Sequence, residues 1–129
     1  MKITEIAFSC YPVTDIVRAR AFYEGILGLT LSMDTGESEK GHWIEYQIGA
    51  GTLAIGAAPG WKSSSDGCSV GLEVEDFEAA ITSLKAAAVN FKMPAIETPV
   101  CQMAMIYDPD GNVIIIHQRK LGHCCPSVP

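Results

Sequence analysis

Asp108-Pro109-Asp110-Gly111-Asn112 runs straight into Val113-Ile114-Ile115-Ile116-His117. Proline presets φ, glycine accepts positive φ and aspartate can bond the backbone ahead of it, so the first five residues reverse the chain. The β-branched run behind them is a strand, and with Cys101 to Tyr107 in front the whole segment reads as a β-hairpin. Earlier in the chain Gly49-Ala50-Gly51-Thr52 leads into the apolar Leu53-Ala54-Ile55. A turn that recurs in this way points to a chain built twice.

Working outward from the two turns, each half has the same grammar. In the first, Ile3 to Cys10 reads as a strand closed by Tyr11-Pro12, and Asp15 stands where a helix N-cap accepts bonds from orphan N–H groups. Ile16, Ala19, Phe22, Tyr23, Ile26 and Leu27 then recur at three- and four-residue spacing, one apolar stripe that ends at Gly28. Leu29 to Met33 is a short strand and Asp34 to Gly41 a polar loop. His42 to Ile48 and Thr52 to Ala57 form a hairpin, and Ala58 to Gly67 is a linker. The second half repeats this with a strand at Ser69 to Val74, an N-cap at Asp76 and a helix carrying Phe77, Ala80, Ile81, Leu84 and Ala88. That helix is expected to end near Asn90, and Phe91 to Ile96 is the next strand. Val13-Thr14-Asp15-Ile16 and Val74-Glu75-Asp76-Phe77 lie 61 positions apart (76 minus 15), and Gly51 and Gly111 lie 60 apart (111 minus 51). Two landmarks at nearly one period make each half a repeated β-α-β-β-β unit.

The bulk numbers bound the function. The 129 residues are 48% hydrophobic, the size of one domain with a real core. We expect one domain over 1–121, with modules at about 1–58 and 68–119 and a flexible tail over 122–129. No apolar run reaches the roughly 18 residues a bilayer span needs, and the first residues lack a signal-peptide layout, so a cytoplasmic protein without membrane partners is expected. A net charge of −6 argues against nucleic-acid binding. Five cysteines without a CxxC pair make no disulfide framework.

Val13-Thr14-Asp15 leading to Phe22-Tyr23 and Leu27-Gly28-Leu29, Glu75-Asp76 opening the second helix, and Asp108-Pro109-Asp110-Gly111-Asn112, in that order, resemble the vicinal oxygen chelate superfamily. That group includes glyoxalase I, extradiol dioxygenases and bleomycin-resistance proteins, and the resemblance covers nearly the whole chain to Gln118. It implies an α+β fold in which tandem βαβββ modules join into one curved, eight-stranded mixed sheet, a cup with helices outside and a ligand cavity inside. It also implies a homodimer and, in members that are enzymes, lyase or dioxygenase chemistry on a divalent metal that stabilises enolate charge. Carried over position by position, the metal ligands fall on Phe8 or Ala7, Ile55, Ser69 and Ile115. None offers imidazole or carboxylate, so no metal and no cofactor is expected at the usual site.

The resemblance puts Ile115 inside the cup, and strand alternation then places Val113 and His117 there too. The same alternation leaves Ser69, Gly71 and Glu73 inward, making Glu73 and His117 a candidate acid–base pair or polar anchor. On the first hairpin His42 and Tyr46 oppose Trp43 and Glu45; we take Trp43 with Glu45 as the cavity pair, suited to a flat or cationic molecule. The expected ligand-binding residues are thus Phe8, Trp43, Glu45, Ile55, Ser69 and Ile115, and the expected function is metal-independent binding of a small organic molecule. Two alternatives stay open. One is a metal-dependent lyase, isomerase or dioxygenase with a divalent metal on displaced ligands such as His42, Glu73 and His117. The other is a partner-binding domain whose cup is filled by Phe8, Ile55 and Ile115.

Overall fold

The structure, a computed structural model, describes residues 1–120. The chain forms two compact units, Met1–Ser64 and Ser65–Pro129. The first contains β1 (Ser9–Pro12), α1 (Ile16–Arg20) continued by a π-helical turn (Ala21–Ile26), β2 (Thr30–Asp34), β3 (His42–Ile48) and β4 (Gly51–Ala57). The second contains β5 (Val70–Glu73), α2 (Phe77–Ala86), β6 (Phe91–Glu97), β7 (Cys101–Tyr107) and β8 (Val113–Arg119). The α+β class and the tandem βαβββ modules are as the sequence predicts. The eight strands are divided into two four-stranded sheets, β1-β4-β3-β2 and β5-β8-β7-β6, each mixed because its first strand runs parallel to its last. No helix among the described residues is long and apolar enough to cross a membrane.

The opening turn is built around one carboxylate. Oδ1 of Asp108 accepts the backbone N–H groups of Asp110 and Asn112, both at 2.9 Å, and Oδ2 accepts the Asn112 amide at 2.8 Å. Asp108 and Asn112 are 4% and 1% exposed, so these charge-assisted bonds form where unmade ones would be costly. Gly111 supplies the left-handed φ of 88° that the turn requires.

The two helices start alike and end differently. Asp15 accepts from Arg18 N at 3.0 Å and Asp76 from Ala79 N at 3.1 Å, the same i to i+3 cap 61 residues apart. From cap to the left-handed residue that ends each helix, the first runs from Asp15 to Gly28 and the second from Asp76 to Ala88, one residue shorter. The π-helical turn takes up the extra residue, with Leu27 N–H bonding the Phe22 carbonyl at 2.9 Å. The wide turn lets the adjacent Phe22 and Tyr23 both bury, and Tyr23 stacks on Tyr46 of β3 at 6.0 Å. In the second unit Phe77, Ile81 and Leu84 are the buried residues of α2, and Ile106, Ile114 and Ile116 are buried in its sheet. Each fully buried side chain of this kind contributes about 1.5–3 kcal/mol. Gln118 secures the helix start, accepting Phe77 N–H at 2.8 Å and donating to the Glu75 carbonyl at 2.7 Å.

Two boundaries differ from the sequence reading by more than two residues. The first strand covers Ser9–Pro12, and Ile3 and Ile6 are exposed. Ser9 pairs with Leu53 and β4 begins at Gly51, so β4 has no backbone to pair with anything before Ala7. The second helix stops at Ala86, short of Asn90 and of Ala88. Ala88 N bonds Lys85 O and Val89 N bonds Leu84 O, both at 3.0 Å, which is a Schellman closure with a non-glycine residue in its left-handed position at φ 58°. The tail expected over 122–129 lies outside the described residues.

The parallel registers settle which residues share a face. Val70, Gly71, Leu72 and Glu73 stand opposite Ile114, Ile115, Ile116 and His117, and Ser9, Cys10, Tyr11 and Pro12 opposite Leu53, Ala54, Ile55 and Gly56. The four pairs of the first unit recur in the second at an offset of 61 positions. Ile55 therefore matches Ile116, not Ile115, and lies fully buried beside Ile44 on the side where Tyr46 meets the helix. This corrects the cavity placement of Ile55: its place on the open face, the one turned away from the helix, belongs to Ala54. The slip comes from the turns, because four residues separate Gln47 from Thr52 and five separate Tyr107 from Val113, so their glycines are not equivalent.

Ala88 provides a test of the closure. An alanine at positive φ carries a steric cost that glycine lacks, so Ala88→Gly is expected to raise unfolding free energy by about 0.5–1 kcal/mol. A urea melt with unchanged m-value and unchanged or lower midpoint would contradict this account.

Candidate functional site

The open face of the first sheet carries an aromatic group. Trp43 projects there from β3, Phe8 meets it edge-on at 5.2 Å, and Trp61 lies 6.2 Å from it. Trp61 comes from the linker and sits over Gly56, where a Cβ would stand 2.5 Å from its ring. Glycine at 56 is therefore what admits the indole. Glu45, two residues along β3 on the same face, accepts the Trp43 indole N–H at 2.8 Å through Oε2, and its Oε1 has no partner among the described residues. The sequence-predicted pair of Trp43 and Glu45 thus shares one face with Phe8. A hollow of about 280 Å³ lies against Trp43, Gly56, Trp61 and His42. A larger one of about 650 Å³, lined by Asp15, Glu37, Glu39, His42 and Trp61 among others, adjoins it.

Sequence reasoning missed Trp61 and the chain of polar groups on the opposite side of the same sheet. Tyr46 donates its hydroxyl to Glu24 at 2.9 Å, Arg20 clasps Glu24 at 2.6 and 3.1 Å, Arg20 also approaches Asp34 at 3.6 Å, and Asp34 meets His42 Nε2 at 2.6 Å. The clasp by Arg20 is the leading reason that the Glu24 carboxyl lies below the ordinary 4.5. Asp34 is likewise lowered, first by the Gly36 N–H and then by His42. Burial pushes the Tyr46 phenol upward, and it pushes the Cys10 thiol up to about 11, which makes that thiol a poor nucleophile. One signal for Trp61 was available in the sequence: position 56 is glycine where the repeat has His117.

In the second unit the candidates Glu73 and His117 are brought together, with Nδ1 of His117 2.6 Å from Glu73 Oε1. The other oxygen of Glu73 accepts the Arg119 N–H at 2.7 Å. Burial raises the Glu73 carboxyl, but the Arg119 N–H and the His117 ring outweigh it and hold it below its ordinary value. Ser69 and Ile115 belong to the same open face by alternation, Ile115 half-buried and Ser69 exposed. His42 sits with Asp34 in the first unit, while Glu73 and His117 pair in the second.

The divalent site implied by family resemblance is not supported by the donors present. Its four positions hold Phe8, Ala54 (in place of Ile55), Ser69 and Ile115, which amount to one hydroxyl. No three His, Cys, Asp or Glu side chains converge on a metal position among the described residues.

The sequence model of the glyoxalase/bleomycin resistance protein/dioxygenase superfamily matches residues 2–116. The chain belongs to that superfamily. It resembles the crystal structure of TnmS3, an antibiotic binding protein from Streptomyces sp. CB03234, at 27% identity over 93% of this chain and 99% of the other, with a TM-score of 0.77. A glyoxalase/bleomycin resistance protein from the same organism is 26% identical over 88% of this chain and 100% of its own, with a TM-score of 0.71. A domain of this superfamily from Frankia sp. EAN1pec, 16% identical over 95% of this chain and 96% of its own with a TM-score of 0.78, shares the fold. No protein of curated function matches the chain.

The lowered carboxylates set the acid behaviour. A folded-state pKa below the unfolded one gives stability that is complete above the unfolded value and is lost as pH falls through the folded one. Stability is therefore expected to decline as pH drops below about 4.5, and Glu24→Gln is expected to flatten that decline while lowering stability at neutral pH. Chemical denaturation of both proteins across the acid range checks it; parallel curves would remove Glu24 from the account.

Proposed function

We propose that this superfamily member binds a small, flat organic molecule at the aromatic wall formed by Phe8, Trp43 and Trp61, with Glu45 as a fixed carboxylate at its edge, and that it does so without a divalent metal. The observation that carries this is the placement of Trp61 over Gly56 beside Trp43, which makes a stacking surface out of a linker residue. Stacking and cation–π attraction suit a planar ligand with positive charge, which the Glu45 carboxylate also favours. The likeness to an antibiotic binding protein supports a binding role for the fold at this level of identity. In the second unit the Glu73–His117 pair, with Ser69 and Ile115 on its face, forms a polar group of its own. A second reading, in which that pair moves a proton on a molecule held at its own face, is favoured by the 2.6 Å contact alone.

Both tryptophans of the chain are in this wall, so intrinsic fluorescence reports binding directly. Titration with a cationic planar dye such as acridine orange is expected to quench emission saturably and to raise the melting temperature, unaffected by EDTA. Trp61→Ala is expected to weaken binding by roughly tenfold or more, a loss of about 1.4 kcal/mol or more. An EDTA-sensitive response, or equal binding by Trp61→Ala, would retire the proposal.

We further propose a homodimer, supported by family membership and by the exposed apolar residues Met33, Ile96 and Val100. Light scattering is expected to give twice the 13.8 kDa chain mass; a monomer at micromolar concentration would exclude it.

A further inference from the structure

The open face of the second sheet gathers thioethers around one imidazole. On β7, Met103 stands directly across from His117 and Met105 directly across from Ile115, while Met93 of β6 stands across from Met105. Directly paired residues on one sheet face have Cβ atoms about 4.5–5.5 Å apart, within reach of a methionine and a histidine side chain. All three methionines and His117 are half-buried, neither sealed in the core nor fully in solvent. Three of the five methionines in the chain are thus on this face. The module itself does not demand Met103 or Met105, since the matching positions of the first unit are Trp43 and Glu45, with Gly56 for His117; Met93 is matched by Met33.

His117 is also prepared as a ligand. Glu73 accepts the Arg119 N–H through one oxygen and meets Nδ1 of His117 through the other, so a neutral imidazole carries its proton at Nδ1 and keeps the Nε2 lone pair free. Nε2 has no hydrogen-bond partner among the described residues. A carboxylate behind an imidazole fixes the tautomer and raises ligand basicity, as it does behind histidines that bind metals. Thioether sulfur is a poor ligand for hard divalent ions and a good one for Cu(I).

We propose that Nε2 of His117 and the sulfurs of Met103 and Met105, with Met93 able to close the set, bind one soft monovalent cation of the Cu(I) class. This ligand set differs from that of the family's divalent chelate, whose positions lack donors here, and uses no residue of the first-unit aromatic wall. Cys101 is the next residue along β7 on the same face, but its thiol is buried and bonded to Thr98 Oγ1 at 3.2 Å, and it is no part of the set.

Ag(I), a redox-stable ion of the same class, tests this on the full chain labelled at its methionine methyl groups, with accessible thiols blocked by N-ethylmaleimide. One equivalent is expected to shift the methyl signals of Met103 and Met105 and leave those of Met1 and Met33, with Zn(II) moving none of them. Glu73→Gln is expected to weaken Ag(I) binding by roughly 10–100-fold, His117→Gln to weaken it further, and Cys101→Ser to change nothing. Met103→Leu conserves volume, keeps the fold and is expected to abolish the shift at Met105. Unmoved methyl signals, a response that requires Cys101, or affinity unchanged in both Met103→Leu and His117→Gln would overturn the assignment.

Discussion

The parallel pairing of the first strand of each module with its last is the constraint on which the remaining structure depends. A parallel pair needs a crossover, and the helix with the two strands after it provides one. The bond that ends each pairing is the same in both units: Val13 N–H meets the Gly56 carbonyl and Val74 N–H the His117 carbonyl, each at 2.9 Å. Once that register is set, alternation decides which side of the sheet every residue of the module occupies. The helix caps at Asp15 and Asp76 follow directly behind, and the apolar stripe of each helix closes over the face so chosen.

Within that shared frame the two open faces have been filled with different chemistry. Gly56 and His117 are equivalent positions, yet one is empty of side chain and roofed by Trp61 while the other presents an imidazole braced by Glu73. Trp43 and Met103 are equivalent as well, as are Glu45 and Met105. One face has become aromatic with a carboxylate, the other sulfur-rich with a carboxylate–imidazole pair. The frame tolerates both because neither set takes part in the helix-facing core, where Ile44 and Ile55, or Ile114 and Ile116, do the packing.

Local signals carried most of the fold in the sequence. The Asp108 turn, the two N-caps and the helical stripes are interactions between residues a few positions apart, and each was visible from residue type and spacing alone. The meeting of Glu73 with His117 was legible because the facing of β8 could be taken from family position and that of β5 from its own alternation. The facing of Ile55 was not, because the extra residue of the π-helical turn and the extra residue of the Asp108 turn shift the period between 61 and 60 and back again. Neither insertion changes the hydrophobic pattern enough to betray itself. Trp61 left only the glycine at position 56 as a trace, and the Arg20–Asp34–His42 chain left none: both depend on where a linker and a helix end settle, which no periodicity encodes.

The same register has a consequence for the outer edges of the sheets. Because Val13 N–H points inward to β4, the nitrogen of Pro12, one residue back, points outward along the edge of β1, where proline has no hydrogen to offer. A further strand laid against β1 would find a missing rung there. The equivalent residue of β5 is Glu73, whose N–H is intact, so the duplicated halves differ in their capacity for strand addition: the first sheet is blunted against it on this side, and the second is guarded only by the four-residue length of β5.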